Sequence, residues 1–184
     1  IEEARTNLLK YSSDLSNAAW TKRGTVTLGA SITAPDGTVT GQVVNGLLSQ
    51  AVDDFFQATS GLPSGVAYSP SFYFKRLSTS GTVFIGSPDN TDLYGKWSVD
   101  VSAIPDRWVK LTKDSPFVTE VVPFIGSAAN LGGFQIWASV SMSAAFWGFQ
   151  IEQASAASSY IPTTTAAVTR NADVLSYPTA NWFA

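Results

Sequence analysis

Phe146-Trp147-Gly148-Phe149-Gln150-Ile151-Glu152 is the stretch on which the fold turns. With a two-residue alternation, Trp147, Phe149 and Ile151 share one side while Phe146, Gly148, Gln150 and Glu152 share the other. A strand with bulk on both sides belongs in the middle of a sheet. Two other stretches have one wholly apolar side. In Phe72-Tyr73-Phe74-Lys75 the phenylalanines oppose Tyr73 and Lys75; in Phe134-Gln135-Ile136-Trp137-Ala138, Phe134, Ile136 and Ala138 oppose Gln135 and Trp137. The apolar sides predict buried faces, and a one-residue slip would turn them outward.

Working outward, 14 Gly and 9 Pro punctuate short runs rich in Val, Ile, Phe, Tyr, Trp and Thr. That pattern predicts a sandwich or barrel of short antiparallel strands. Strands are expected at 25–32, 38–44, 68–76, 82–85, 96–101, 107–112, 117–125, 133–140 and 145–152. Such a set suits a two-sheet sandwich. Helical turns are expected at 13–20, with Asp14 or Ser16 as N-cap, and at 50–57. No fixed period repeats. The small polar residues at 154–159 and 163–167 bury little and predict an extended tail crossing the sandwich surface.

The 184 residues carry 45% hydrophobic and 14% charged side chains, enough apolar material for the core of one domain. With no His and no Cys, the chain cannot build a Ser-His-Asp triad, a Cys nucleophile, a His- or Cys-ligated zinc site or a disulfide. A net charge of −3 and scattered bases give no electrostatic footprint for nucleic acid. No apolar run has the length a membrane-spanning helix needs. Starting at Ile1 and stopping at Asn181-Trp182-Phe183-Ala184, the sequence reads as a piece of a longer polypeptide.

Both ends of the chain carry motifs that go together. Glu3-Ala4-Arg5-Thr6-Asn7-Leu8-Leu9, Tyr11-Ser12, Ser16-Asn17-Ala18-Ala19-Trp20 and Ala34-Pro35-Asp36-Gly37-Thr38 open it. The stretch quoted first, then Ser158-Ser159-Tyr160-Ile161-Pro162-Thr163 and Thr169-Arg170-Asn171-Ala172-Asp173-Val174-Leu175-Ser176, close it. In this order, with Ser71-Phe72-Tyr73-Phe74-Lys75-Arg76 and Asp106-Arg107-Trp108-Val109-Lys110-Leu111-Thr112 between, the chain resembles a domain of bacteriophage tail-fibre and head-spike proteins. That family is similar to the jelly-roll carbohydrate-binding modules appended to glycoside hydrolases. The resemblance implies an antiparallel jelly-roll β-sandwich over residues 1–176, with 177–184 as a linker to a following domain. It further implies non-catalytic attachment to polysaccharide or cell-surface glycans, other domains of the same viral protein as partners, and a place on the virion, outside the cell.

Sugars have apolar CH faces ringed by hydroxyls, so a site for them needs an exposed ring and nearby hydrogen-bonding side chains. Tyr73 and Trp137 are the candidate stacking rings, Gln135 and Lys75 the orienting groups, and Phe84 a further platform. Alternatively these rings finish a second apolar layer. Trp97 shares the phase of Val99 and Val101 and is expected in the core, as are Trp20 and Trp147 as packing. Trp108, with Tyr94 and Lys96, is expected at an exposed edge. Asp53-Asp54, Glu120 and Glu152 are the acids a glycosidase reading would use, and no pair of them stands in a recognisable arrangement. The resemblance implies no required cofactor and allows a structural Ca²⁺ at Asp14, Gln150 and Glu152. Asp89-Asn90-Thr91-Asp92 is read as a turn with calcium-loop composition. Arg5 and Arg170 are expected to clamp the chain ends onto the sandwich, and Tyr160 and Ile161 to pin the polar tail. Two further readings stay open: an architectural spacer or oligomerisation domain, and a polysaccharide-degrading enzyme.

Overall fold

The computed structural model of the chain describes residues 1–59, 63, 65–88, 95–124 and 132–174. The expected linker at 177–184, the turn at Asp89-Asn90-Thr91-Asp92 and Tyr94 lie outside the described residues. Strands run β1 Arg5–Asn7, β2 Thr21–Lys22, β3 Thr27–Ile32, β4 Gly41–Leu47, β5 Phe55–Thr59, β6 Ser69–Arg76 and β7 Thr82–Gly86. They continue as β8 Lys96–Asp100, β9 Val109–Leu111, β10 Val118–Val122, β11 Gly132–Ala138, β12 Met142–Glu152 and β13 Val168–Arg170.

Every strand pairing is antiparallel. One sheet has the order β10-β8-β7-β11-β5-β2 and the other β3-β4-β12-β6-β9. The two pack as a jelly-roll β-sandwich around a core of rings. Phe72 and Phe146 from one sheet meet Phe134 and Phe55 from the other, at centroid distances of 5.6 and 5.2 Å. Phe149 stacks on Phe72 at 5.3 Å and receives Trp20 at 4.7 Å. Trp97 and Trp20 are each 1% exposed, as their phase and motif predicted.

β12 lies in the middle of its sheet, between β4 and β6, but simple alternation misplaces its side chains. The register steps from Trp147 opposite Tyr73 to Gln150 opposite Ser71, so one extra residue is accommodated. Gly148, at φ 65°, supplies the left-handed conformation such a bulge uses. The bulge puts Phe146 and Phe149 together in the core, against the reading that set them on opposite faces, and turns Trp147, Gln150 and Glu152 outward.

The helical turns expected from sequence are absent. Residues 13–20 are consecutive turns, in which Asp14 Oδ1 accepts from the N–H and hydroxyl of Ser16 at 3.1 and 2.6 Å. That is Asx-turn chemistry, which competes with a helix for the same backbone donors. Within 50–57 the chain turns and then enters β5, because Phe55-Phe56-Gln57 bury two side chains on one face. Among the described residues the one helical element is a 3₁₀ turn at Val101–Ala103, capped by Asp100.

The chain ends form their own ribbon, β1 with β13, in the register Arg5 opposite Arg170. Arg170 Nη1 pairs with Glu2 at 2.6 Å, and Glu2 also accepts from the Ser159 N–H and hydroxyl at 2.8 and 2.6 Å. Arg5 pairs with Glu3. The expected clamp by Arg5 and Arg170 therefore works through carboxylates. The two bonds from Ser159, and the charge of Arg170, hold the Glu2 carboxyl below its ordinary value. Since the folded form is the more acidic, this clasp contributes fully above the ordinary carboxylate range and is lost as pH falls through the folded value. We expect the exchange protection of the Ser159 amide to drop below about pH 4; protection unchanged by acid would show the clasp to be idle.

Candidate functional site

Each sheet has an outer face, and the two differ in what lies on them. On the five-stranded sheet, Tyr73 of β6 and Trp147 of β12 sit side by side with ring centroids 5.3 Å apart. Tyr160 from the tail lies against Trp147 at 4.6 Å, and its hydroxyl shares a 2.6 Å hydrogen bond with the Ser12 hydroxyl. The tail is tied down further. Lys110 Nζ donates to the Ser158 carbonyl at 2.6 Å, and burial pushes the Lys110 amine down from its ordinary pKa. Glu152, 0% exposed, accepts from the Ser158 N–H and hydroxyl and from Gln150 Nε2, at 2.9, 2.6 and 2.7 Å. Tyr160 and Ile161 thus pin the tail as expected, and Trp147 is covered. Tyr73 is left half-buried beside this layer, and Lys75, half-buried, stands opposite Ala145 on the same side.

The six-stranded sheet carries a different arrangement. Phe84 of β7 stands directly opposite Trp137 of β11, and their rings stack with centroids 5.5 Å apart at 23°. Lys96 of β8 places its Nζ 5.2 Å from the Phe84 centroid and 5.5 Å from that of Trp137, within cation–π reach. Gly86 makes room for the indole: a Cβ there would meet Trp137 at 2.7 Å. One strand over, the Arg23 guanidinium lies 4.7 Å from the Phe56 centroid. Arg23 also grips the buried Asp54 with two bonds, Nε to Oδ1 at 2.6 Å and Nη2 to Oδ2 at 2.5 Å. Gln135 Nε2 donates to Asp54 at 2.5 Å, and the N–H of Ala51 at 2.8 Å.

The sequence-predicted site is therefore divided. Tyr73 and Lys75 lie outside one sheet, and Phe84, Gln135 and Trp137 outside the other, with the core between. Alternation placed each of them away from the core, but it cannot tell one outer face from its opposite. Two expectations fail on this face. Trp137 is 5% exposed where a bare ring was expected, and Gln135, 0% exposed, braces Asp54 instead of presenting its amide. Phe84, Phe56, Lys96 and Ser98 are half-buried and Ala58 is exposed, so Phe84 is the ring of the stacked pair that reaches solvent. Phe56 was missed because 50–57 was read as a turn of helix; the alternation Phe55-Phe56-Gln57-Ala58 was the available signal, and no local signal pairs Arg23 with it.

The residues suggested for Ca²⁺ do not fit one. Gln150 turns its amide nitrogen towards Glu152, whose oxygens already accept from Ser158, and Asp14 is exposed and engaged with Ser16. Among the described residues no three acids gather where a cation could sit. The acids of the glycosidase reading are also apart in role. Asp54 is in its ion pair, Asp53 accepts from the N–H and hydroxyl of Thr25, and Glu120 is exposed on the edge strand β10.

No family model and no curated protein matches the sequence. Solved structures do match in shape. The CBM22-1–GH10 modules of an endo-1,4-β-D-xylanase from Clostridium thermocellum, complexed with xylohexaose, superpose with a TM-score of 0.53 at 16% identity, over 83% of this chain and 29% of that one. The CBM22-1–CBM22-2 tandem of Paenibacillus barcinonensis gives 0.51 at 16%, over 86% and 48%. Tailspike protein 4 of bacteriophage CBA120 gives 0.49 at 15%, over 79% and 21%. The chain thus spans less than half of each of these proteins, and at such identities the likeness is one of fold: the antiparallel sandwich that the strand pattern predicted, in the jelly-roll form that the resemblance implied.

Proposed function

We propose that the domain binds polysaccharide non-covalently on the outer face of the six-stranded sheet, with Phe84 as the stacking ring. The observation that carries this is the Phe84–Trp137 stack with Lys96 within cation–π reach of both rings, on the face opposite the one that the described part of the tail covers. Trp137 stacks against Phe84 from the neighbouring strand, and Lys96 donates to hydroxyls along the ring's rim. The CBM22-1–GH10 modules complexed with xylohexaose among the fold relatives support a glycan as the ligand class. The terminal motifs support a setting in a phage fibre or spike, where many copies would raise a modest single-site affinity. Adhesion to glycans, on the virion and outside the cell, follows from that setting as part of the same proposal. The engagement of Asp53, Asp54 and Glu152 by hydrogen-bonding partners of their own supports binding without turnover.

Glycan-array screening followed by titration of the best polysaccharide tests the assignment. Phe84→Ala should weaken binding roughly fivefold, the loss of a stacking contact worth about 1 kcal/mol. Tyr73→Ala, on the far side of the sandwich, should leave affinity unchanged. The reverse result would move the site to the five-stranded sheet. A spacer role is the second reading, favoured by the burial of Trp137, and a folded domain that binds no glycan on the array would establish it over the first.

A further inference from the structure

We propose a second, smaller saccharide site at one end of the sandwich, between Arg76 and Asp106, that takes a single sugar ring. Arg76 is the last residue of β6, and Asp106 lies in the connection between β8 and β9. Both line one open depression of ≈ 200 Å³ together with Leu77, Ser78 and Thr79. This is smaller than the about 300 Å³ at which sites for drug-sized ligands begin, and suits one ring better than a chain.

The chemistry of the lining is specific. Among the described residues, neither the Arg76 guanidinium nor the Asp106 carboxylate pairs with another side chain or with the backbone, and both residues line the same depression. An acceptor-only carboxylate beside a donor-only guanidinium matches neighbouring sugar hydroxyls, each of which can donate to the acid and accept from the base. Leu77, 47% exposed, supplies an apolar patch for the CH face of the ring. The opposite charges leave the depression neutral, which favours a neutral ligand over an acidic one.

Its walls are fixed by the fold. Arg76 is held in the ladder opposite Ala144. The Ser78 hydroxyl donates to the Ser143 carbonyl and accepts from the Ser143 N–H, each at 3.2 Å. The Arg107 N–H closes on the Pro105 carbonyl at 2.8 Å, a tight turn that presents Asp106 at its tip. The two charged groups thus stand on braced backbone, and a ligand would bring them together without ordering a loop first.

Amide chemical-shift mapping on the whole domain tests this independently of the sheet-face site. Free glucose, galactose, mannose, rhamnose and N-acetylglucosamine serve as probes, with alanine as a zwitterionic comparison. At least one sugar should shift the amides of residues 76–79, 106 and 107. Asp106→Asn and Arg76→Gln should each weaken that response on the order of tenfold with unchanged melting temperature, while Phe84→Ala leaves it intact. Shifts confined to the strands around Phe84, no shift at either place, a response that survives both end-site variants, or one given by alanine and by no sugar would each overturn the end site. The first of these would leave the sheet-face reading standing.

Discussion

Asn7→Leu is expected to bring the domain to the edge of unfolding. Asn7 is 0% exposed, and its side chain stitches three segments together. Nδ2 donates to the carbonyls of Phe149 and Ile161, at 3.0 and 2.9 Å, while Oδ1 accepts from the N–H groups of Leu9 and Ile151, at 3.1 and 3.3 Å. Leucine has a similar volume but would leave these backbone groups buried without partners. At about 1 kcal/mol or more for each, the total is roughly 4 kcal/mol, against the about 5–15 kcal/mol by which a domain is stable. Urea denaturation followed by tryptophan fluorescence should show the midpoint collapse. Thr6→Ala, which removes the exposed contact to the Thr169 hydroxyl, should move it little. Equal midpoints for Asn7→Leu and wild type would contradict this account of the amino-terminal motif.

Asp54→Ala should act on both stability and the candidate site. The carboxylate is 0% exposed and receives the Arg23 fork, the Ala51 N–H and Gln135 Nε2. Without it the half-buried guanidinium of Arg23 loses its counter-charge, and breaking a buried pair from one side costs about 3–5 kcal/mol. For a chain of this size that is a fall in melting temperature of roughly 10 °C. Gln135 shares β11 with Trp137, so freeing its amide also loosens the strand that backs Phe84. Calorimetry should show the drop, and polysaccharide binding by the protein that remains folded should weaken as well. Unchanged melting with weakened binding would mean that Asp54 meets ligand itself.

Much of the sandwich was legible because burial writes a two-residue period into Ser71–Arg76 and Phe134–Ala138. The period gave strands and their buried faces; it also placed Trp97 and Trp20 inside. It failed at Gly148, where one residue with a positive φ shifts every side chain after it, and no alternation rule contains that step. It failed at Phe55–Phe56 because two adjacent rings satisfy a helix turn as well as a strand. The candidate site was less legible for a different reason. Which outer face a residue joins depends on pairings between strands far apart in sequence, such as Trp137 with Phe84, and on the path of the tail over Trp147. The motif residues Asn7 and Glu152 were quoted as resemblance, and their jobs are packing and capping deep in the structure.

The ribbon of chain ends has a mechanical meaning. At its open end the Asp173 N–H donates to the Glu2 carbonyl and the Glu2 N–H to the Asp173 carboxylate, and the Arg5–Arg170 rung comes next. Tension applied across those two points pulls the paired strands apart sideways, so the rungs break one at a time, as in a zip, and the load never spreads over several bonds at once. A domain attached in this way hangs beside a line of force far better than it transmits one.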